Sequence, residues 1–342
     1  MVVDTLASAA ANVADHSSPM IRLDQLSRWF GTTCAVSRVS FEVGRGEVFG
    51  FIGPNGAGKT TSMRILATLD VPTSGDAFVD GFSVVDDPDQ VRRRLGFMPD
   101  GFGVYPNVNC EEYLDFFARA YGLRGKERIR ALRYVMGFTQ LDQMAHKPIN
   151  GLSKGMKQRL CLGRTLIHDP QVLILDEPAA GLDPRARIEL RDMILQLADE
   201  GKSLLISSHI LTELAEMCSR VAIIEQGGLL AVGSVDDILS GDLSIDEGEG
   251  ERPPRQLATC ISIDVGVLDD VEKLQHWLQT QEGIKGAAIV GKLVRIEAPN
   301  DQAFHAELIA RMVHEGFPVV SFTPKQRSLE EAFLHVTKGR VQ

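Results

Sequence analysis

Residues 48–61 limit the possible folds of this chain more than any other stretch. They read Val48-Phe49-Gly50-Phe51-Ile52, then Gly53-Pro54-Asn55-Gly56-Ala57-Gly58-Lys59-Thr60-Thr61. Five mostly apolar residues predict a buried parallel strand, cut short by a glycine-rich turn. From Gly53 to Thr60 the spacing is Gly, four residues, then Gly-Lys-Thr, the pattern of a loop that cradles phosphates. Glycines let successive backbone N–H groups curl inward around a triphosphate where a Cβ would block the approach. The helix expected from about Lys59, with its apolar Met63, Ile65, Leu66 and Leu69, presents its positive dipole end to the same anion. In that pattern the lysine, Lys59, reaches the β- and γ-phosphates and the Thr60 hydroxyl binds Mg²⁺.

At 342 residues the chain exceeds one typical core, so two domains are expected. A formal net charge of −10 argues against a general nucleic-acid binder, which needs a basic face for phosphates. The five cysteines (Cys34, Cys110, Cys161, Cys218, Cys260) are scattered and form no CxxC pair, which suits a reducing compartment. No stretch approaches the ~18 consecutive apolar residues of a membrane span. Residues 1–18 are small and polar without a basic start and read as a disordered leader rather than a signal peptide. A cytoplasmic location is expected, with any membrane role supplied by a partner.

Before the loop, Ile21–Leu23, Leu26 and Val39–Val43 predict an antiparallel strand pair feeding the central strand, and Gly44-Arg45-Gly46-Glu47 reads as a hairpin signal. Phe30, beside Trp29 and Gly31, is an aromatic that could stack on an adenine ring, with the choice between Phe30 and Trp29 open. Past the loop, a helix over 61–69 and short strands at 77–79 and 83–85 are expected. Leu95–Asp100 reads as a strand running into a loop. Residues 107–160 carry apolar residues at helical spacing only (Tyr113, Phe116, Phe117, Ile129, Leu132, Met136), which predicts a helical insert. It ends at Ser153, a residue type that caps a helix and offers its N-terminus to an anion.

Val172-Leu173-Ile174-Leu175-Asp176-Glu177 is an apolar strand ending in two carboxylates. Asp176 is placed to hold Mg²⁺, and Glu177 is a candidate general base for water. The next strand, 203–207, ends at Ser208-His209. Gly53, Asp176 and His209 thus fall at the carboxyl ends of three strands, where open α/β sheets bind ligands. Strands at 221–224 and 229–232 around Gln226-Gly227-Gly228 finish the sheet. An acidic, Gly/Pro-containing linker over 240–256 separates this domain (19–239) from a second (257–342), whose pattern reads βαββαβ, a ferredoxin-like unit. That unit carries no catalytic constellation, so binding or assembly is the role expected of it.

Taken together, these motifs resemble those of an ABC ATPase, the nucleotide-binding subunit of an ATP-driven transporter, over roughly residues 20–235. The match is to Walker A (Gly53–Thr60), the signature segment Leu152-Ser153-Lys154-Gly155-Met156, Walker B (Val172–Glu177), the D-loop Ala180–Asp183 and the switch histidine His209. Phe30-Gly31 matches the family's adenine-stacking position. The resemblance implies an α/β P-loop NTPase core with an antiparallel β subdomain and a helical subdomain, followed here by the small α+β ferredoxin-like domain. It implies two such domains closed head to tail on ATP, each nucleotide lying between one Walker A loop and Ser153, Gly155 and Met156 of the other. Two departures stand out. Lys154 and Met156 replace the usual residues of an LSGGQ signature, and Asp100 stands where the Q-loop usually has Gln. Asp100 therefore joins Thr60 and Asp176 as a candidate Mg²⁺ contact. The ending Ser328–Phe333 resembles that of drug, lipid or polysaccharide exporter ATPases.

The expected function is an ATP-hydrolysing subunit, peripheral on the cytoplasmic face, that powers export through a separate integral membrane permease. Its partners are that permease and a second copy or a related ATPase subunit. The alternatives are a soluble ABC protein acting in a non-transport assembly, disfavoured by the single ATPase domain and the acidic charge, and a regulator without hydrolysis, disfavoured by Glu177 and His209.

Overall fold

The computed structural model of the chain describes residues 18–101, 103, 107–240, 260–268 and 270–325. The leader up to residue 17, the linker beyond residue 240 and the Ser328–Phe333 ending lie outside the described residues. The chain divides into two compact units, Met1–Leu229 and Leu230–Gln342.

Strands β1 (Ile21–Phe30) and β2 (Thr33–Val43) pair antiparallel, with Ile21 opposite Val43 and Phe30 opposite Thr33. There follow β3 (Val48–Ile52), α1 (Lys59–Leu66), β4 (Ser74–Val79), β5 (Phe82–Ser83), α2 (Pro88–Arg94) and β6 (Leu95–Met98). The helical insert comprises α3 (Cys110–Ala120) and α4 (Gly125–Phe138), and leads into α5 (Lys154–Leu166). Asn109 and Glu112 form a reciprocal capping box that starts α3, with Glu112 N donating to Asn109 Oδ1 at 2.9 Å. Strands and helices then alternate through β7 (Val172–Asp176), α6 (Pro184–Asp199), β8 (Ser203–Ser208), α7 (Leu211–Met217) and β9 (Arg220–Glu225), and β10 (Gly228–Ser234) follows β9 directly.

All these strands join one ten-stranded sheet in the order β5-β4-β1-β2-β10-β9-β3-β8-β7-β6. The run β9-β3-β8-β7-β6 is parallel, whereas β1 pairs antiparallel with both β2 and β4. Every residue of β3, β7 and β8 is buried, as helices on both faces of a parallel sheet require. The register places Ile52 opposite Ser208, Asp176 opposite Ser207 and Met98 opposite Leu175, so four strands release their chains along one edge.

The Gly44–Glu47 interval, expected as a hairpin, is a turn between strands that do not pair. β3 lies between β9 and β8, and β2 lies against β1 and β10. The turn is closed locally by Gly44 N donating to Glu47 Oε2 at 2.6 Å. Such a closure is the same whether the chain reverses onto its neighbour or passes to another part of the sheet. The helix after the phosphate loop begins at Lys59 as expected but ends at Leu66 rather than Leu69, because Ala67 leaves helical geometry and Thr68 takes a left-handed φ of 57°. By contrast, Gln226 and Gly227, with φ of 49° and 83°, make the tight turn expected between neighbouring β9 and β10.

The helix α8 (Val235–Ser240) follows β10. Beyond it, β11 (Cys260–Val267), α9 (Val271–Gln279), β12 (Gly286–Val290), β13 (Leu293–Pro299), α10 (Gln302–His314) and β14 (Val319–Lys325) give the expected βαββαβ order. Their sheet runs β12-β13-β11-β14 and is antiparallel throughout. Ile263, Val265, Leu274, Leu278, Val294, Ile296, Leu308 and Met312 form its own fully buried core.

Candidate active site

The strand β3 ends at Ile52 and hands the chain to the glycine loop, and α1 begins at Lys59. Two glycines of that loop cannot be replaced without moving backbone. A Cβ on Gly53 would stand 2.4 Å from the Ile224 carbonyl oxygen. One on Gly58, whose φ is 106°, would stand 2.5 Å from the carbonyl oxygen of Ala35. Gly58 is also the N-cap of α1 and supplies no side-chain acceptor, so the first-turn amides point at the loop without a side-chain partner. Ala57 N donates to the Pro54 carbonyl at 3.1 Å and holds the loop in its curl. The Lys59 ammonium donates to the carbonyls of Gly53 (2.7 Å) and Pro54 (3.2 Å), which holds it across the loop. Lys59 is buried, and burial pushes its pKa down from the usual lysine value against the opposing pull of Glu177 and Asp176.

Across from the loop, β7 and β8 deliver the carboxylates. Asp176 is 1% exposed, a charge that persists there only with partners, and Ser207 Oγ donates to its Oδ1 at 2.6 Å. The same Ser207 oxygen accepts the backbone N–H of Glu177 at 2.8 Å. One buried hydroxyl on the neighbouring strand thus holds the Asp176 carboxylate and the Glu177 backbone. Glu177 itself adopts a left-handed φ of 49°, a conformation uncommon for a non-glycine residue. Its Oε1 lies 3.7 Å from Lys59 Nζ and has no hydrogen-bond partner among the described residues. Its Oε2 is 2.7 Å from Nδ1 of His209, the residue just past β8. The exposed hydroxyl residue Thr60 and the carboxylate Asp176 are hard oxygen donors suited to Mg²⁺. No cluster of three or more His, Cys, Asp or Glu able to hold a metal occurs among the described residues.

The family model described as ABC transporter matches residues 36–180. The Nod factor export ATP-binding protein I of Ralstonia nicotianae is 33% identical over 322 residues, 94% of each chain. The chain belongs to the ABC transporter family. YbhF of Escherichia coli, named a probable multidrug ABC transporter ATP-binding protein, is 37% identical over 219 residues. This ABC chain spans only 38% of YbhF, and the match takes 64% of its own length. The solved dimeric bacterial ABC transporter cassette MJ0796 superposes with a TM-score of 0.58 at 25% identity, covering 63% of this chain and 99% of the cassette.

Among the ABC motif residues, the structure joins Gly53, Lys59, Asp176, Glu177 and His209 into one cluster. The signature residues stand in another. Ser153 caps α5 by accepting the Met156 N–H at 3.3 Å. A Cβ on Gly155 would lie 3.3 Å from Ala186 Cβ, so the signature helix begins against the first turn of α6. Lys154 reaches over Gly181 of the D-loop, its ammonium 2.3 Å from where a Cβ on that glycine would stand. Phe30 and Trp29 are both half exposed at the end of β1, the Arg28 guanidinium lying 4.5 Å from the Phe30 ring centroid. Trp29 pairs with Cys34, next to the Ala35 that abuts Gly58, so this hairpin end comes beside the start of α1. Asp100 is exposed two residues past β6, and its carboxylate makes no hydrogen bond or ion pair among the described residues.

Sequence reasoning missed two residues, Ser207 and Arg187, and the capping role of a third, Asp183. Ser207 carried only a β-strand signal, because nothing in Leu-Ile-Ser-Ser marks which hydroxyl faces β7. Asp183, read as the D-loop aspartate, also caps α6 by accepting the Ala186 N–H at 2.9 Å, and the Asp-Pro pair was the signal for it. Arg187, on the first turn of α6, donates from Nε to the Leu182 carbonyl at 3.0 Å.

Proposed function

We propose that this chain is the ATP-binding and ATP-hydrolysing subunit of an ABC exporter, working through a separate integral membrane permease. The observation that carries the reading is the Lys59–Glu177–His209 cluster at the carboxyl ends of three adjacent strands. The loop amides and Lys59 bind the triphosphate, and Ser153, Gly155 and Met156 of a second copy or a related subunit close over it. Thr60 and Asp176 hold Mg²⁺, which when bound offsets the negative charge of the phosphates. Glu177 divides its work between two oxygens. With Oε2 occupied by His209, Oε1 is the atom able to accept the proton of the attacking water. Ser207 keeps Asp176 and the Glu177 backbone at a fixed separation, so little reorganisation is needed when charge develops on the phosphates. Phe30 or Trp29 stacks on the adenine.

The export direction rests on the relatives, among them a Nod factor export protein and a linearmycin resistance ATP-binding protein of Bacillus subtilis, 28% identical over 324 residues. The dimer rests on the dimeric cassette that this fold matches. No helix among the described residues is long and apolar enough to cross a membrane, which agrees with attachment to the cytoplasmic face through the permease. The ATPase domain occupies residues 19–239 and the βαββαβ domain residues 257–342, the latter serving binding or assembly. The decisive experiment is ATP turnover by the full chain, alone and reconstituted with any multi-span membrane protein encoded beside it. Stimulated turnover is expected. Turnover indifferent to any neighbouring multi-span protein would favour the non-transport reading.

Asp100 is proposed as a third oxygen ligand or water-bridged contact of the Mg²⁺ site. An anion there repels the triphosphate unless the cation is present, whereas Gln does not. Asp100→Gln is therefore expected to keep hydrolysis and to weaken the dependence of ATP affinity on Mg²⁺. Titrating ATP affinity against Mg²⁺ for wild type, Asp100→Gln and Asp100→Ala decides it. Three superimposable curves would show that Asp100 never faces the nucleotide.

A further inference from the structure

His209 begins the segment that becomes α7, and Glu213 lies one helical turn further along it. The Glu213 side chain is only 16% exposed, and neither carboxylate oxygen has a hydrogen-bond partner among the described residues. Its compensation is ionic. Arg187 Nη1 stands 3.2 Å from Glu213 Oε1, and the same guanidinium donates from Nε to the Leu182 carbonyl at 3.0 Å. Leu182 belongs to the D-loop, which begins three residues after Glu177.

These contacts close a ring. It runs from Glu177 along the D-loop to Leu182, through Arg187 to Glu213, back along α7 to His209, and across the 2.7 Å contact to Glu177 Oε2. We propose that the Arg187–Glu213 pair is a positioning device for hydrolysis, tying the D-loop to α7 so that His209 stays on Glu177. The proposal rests on the reading of Glu177 and His209 as the hydrolytic pair.

Three features support a positioning role over simple stabilisation. The planar guanidinium serves two elements at once from donors in a fixed fork, a geometry that a compact lysine ammonium does not reproduce. The α7 helix is short and its N-cap, Ile210, has no side-chain cap, so its start depends on outside contacts. Burial pushes the Glu213 carboxyl up, with Arg187 and then His209 drawing it back, so the two groups that favour its charged form are the strut and the histidine. A second link between the same helices, Arg191 to Glu216, touches no D-loop atom and is exposed. It serves as the internal control.

The test is single-turnover ATP hydrolysis by the full chain, with nucleotide affinity measured alongside. Arg187→Gln is expected to slow hydrolysis about tenfold or more, the scale of a small misplacement of reacting groups, with ATP affinity within about twofold. Glu213→Gln keeps the side-chain shape, removes the charge and should slow it in the same direction. Arg187→Lys should recover part of the rate, and Arg191→Gln should leave it within about twofold, as an exposed pair allows. The readout that a merely structural role would not move is the cycle with His209→Ala. In that background Arg187→Gln should cost less than about twofold more, because the pair acts through His209. An additive loss there overturns the proposal, as does full activity in both Arg187→Gln and Glu213→Gln. If Arg187→Gln does not fold, the same cycle run with Glu213→Gln decides. A wild-type chain that binds ATP without ever hydrolysing it would instead remove the hydrolytic reading itself, an outcome distinct from wild-type turnover that ignores the pair.

Discussion

Lys59→Ala is expected to lower ATP affinity at least 100-fold, about 2.8 kcal/mol, measured as displacement of a fluorescent nucleotide from the full chain. Two costs add. The triphosphate loses the lysine that the loop holds across its own mouth through the Gly53 and Pro54 carbonyls. Glu177 loses its buried counter-charge 3.7 Å away, so a second anion is left facing the phosphates. The unpaired carbonyls and carboxylate also cost folding stability, of order 1–3 kcal/mol. Lys59→Met, which keeps the bulk of the stem, separates the two effects: it should fold better and bind ATP as poorly. Near-wild-type affinity in either variant would overturn the assignment of the loop.

Glu177→Gln should bind ATP and barely hydrolyse it. A general base contributes typically 10²–10⁴-fold, so a fall of at least about 100-fold, near 2.7 kcal/mol in the barrier, is expected. The amide matches the carboxylate in shape, so the contact to His209 and the bond from the Glu177 backbone to Ser207 survive. Removing one negative charge beside the phosphates also favours retention of ATP, so a nucleotide-bound dimer should accumulate and elute early in gel filtration. Hydrolysis above about a tenth of the wild-type rate, an effect under ~1.4 kcal/mol, would mean that Glu177 Oε1 does not take the proton.

Both predictions concern residues that were visible in the sequence, and the reason is local. A phosphate loop needs glycines, a lysine and a hydroxyl at fixed spacing on one short segment, so Gly53–Thr60 is legible without knowing what lies around it. The strand ending in Asp176-Glu177 is legible for the same reason, as is the histidine that follows the next apolar run. Turn chemistry was less informative. Gly44–Glu47 looks like a hairpin because its hydrogen bonding is local, while the identity of the next strand's neighbours depends on residues more than 150 positions away.

The sequence by itself determined the elements, the βαββαβ order of the second unit and the identity of the phosphate-binding and acidic residues, since each follows from periodicity or spacing within a dozen residues. Only the tertiary structure decided which strands are neighbours, and with that it decided the site's geometry. Placing β8 between β3 and β7 is what lets Ser207 grip the Asp176 carboxylate and the Glu177 backbone and sets His209 against Glu177. Packing α6 beside α7 is what brings Arg187, already bonded locally to Leu182, to Glu213. Serine, arginine and glutamate are common on strands and helices and carry no local mark of such a task. Their roles come from partners distant in sequence, and those partners are chosen by burial of the sheet's apolar faces.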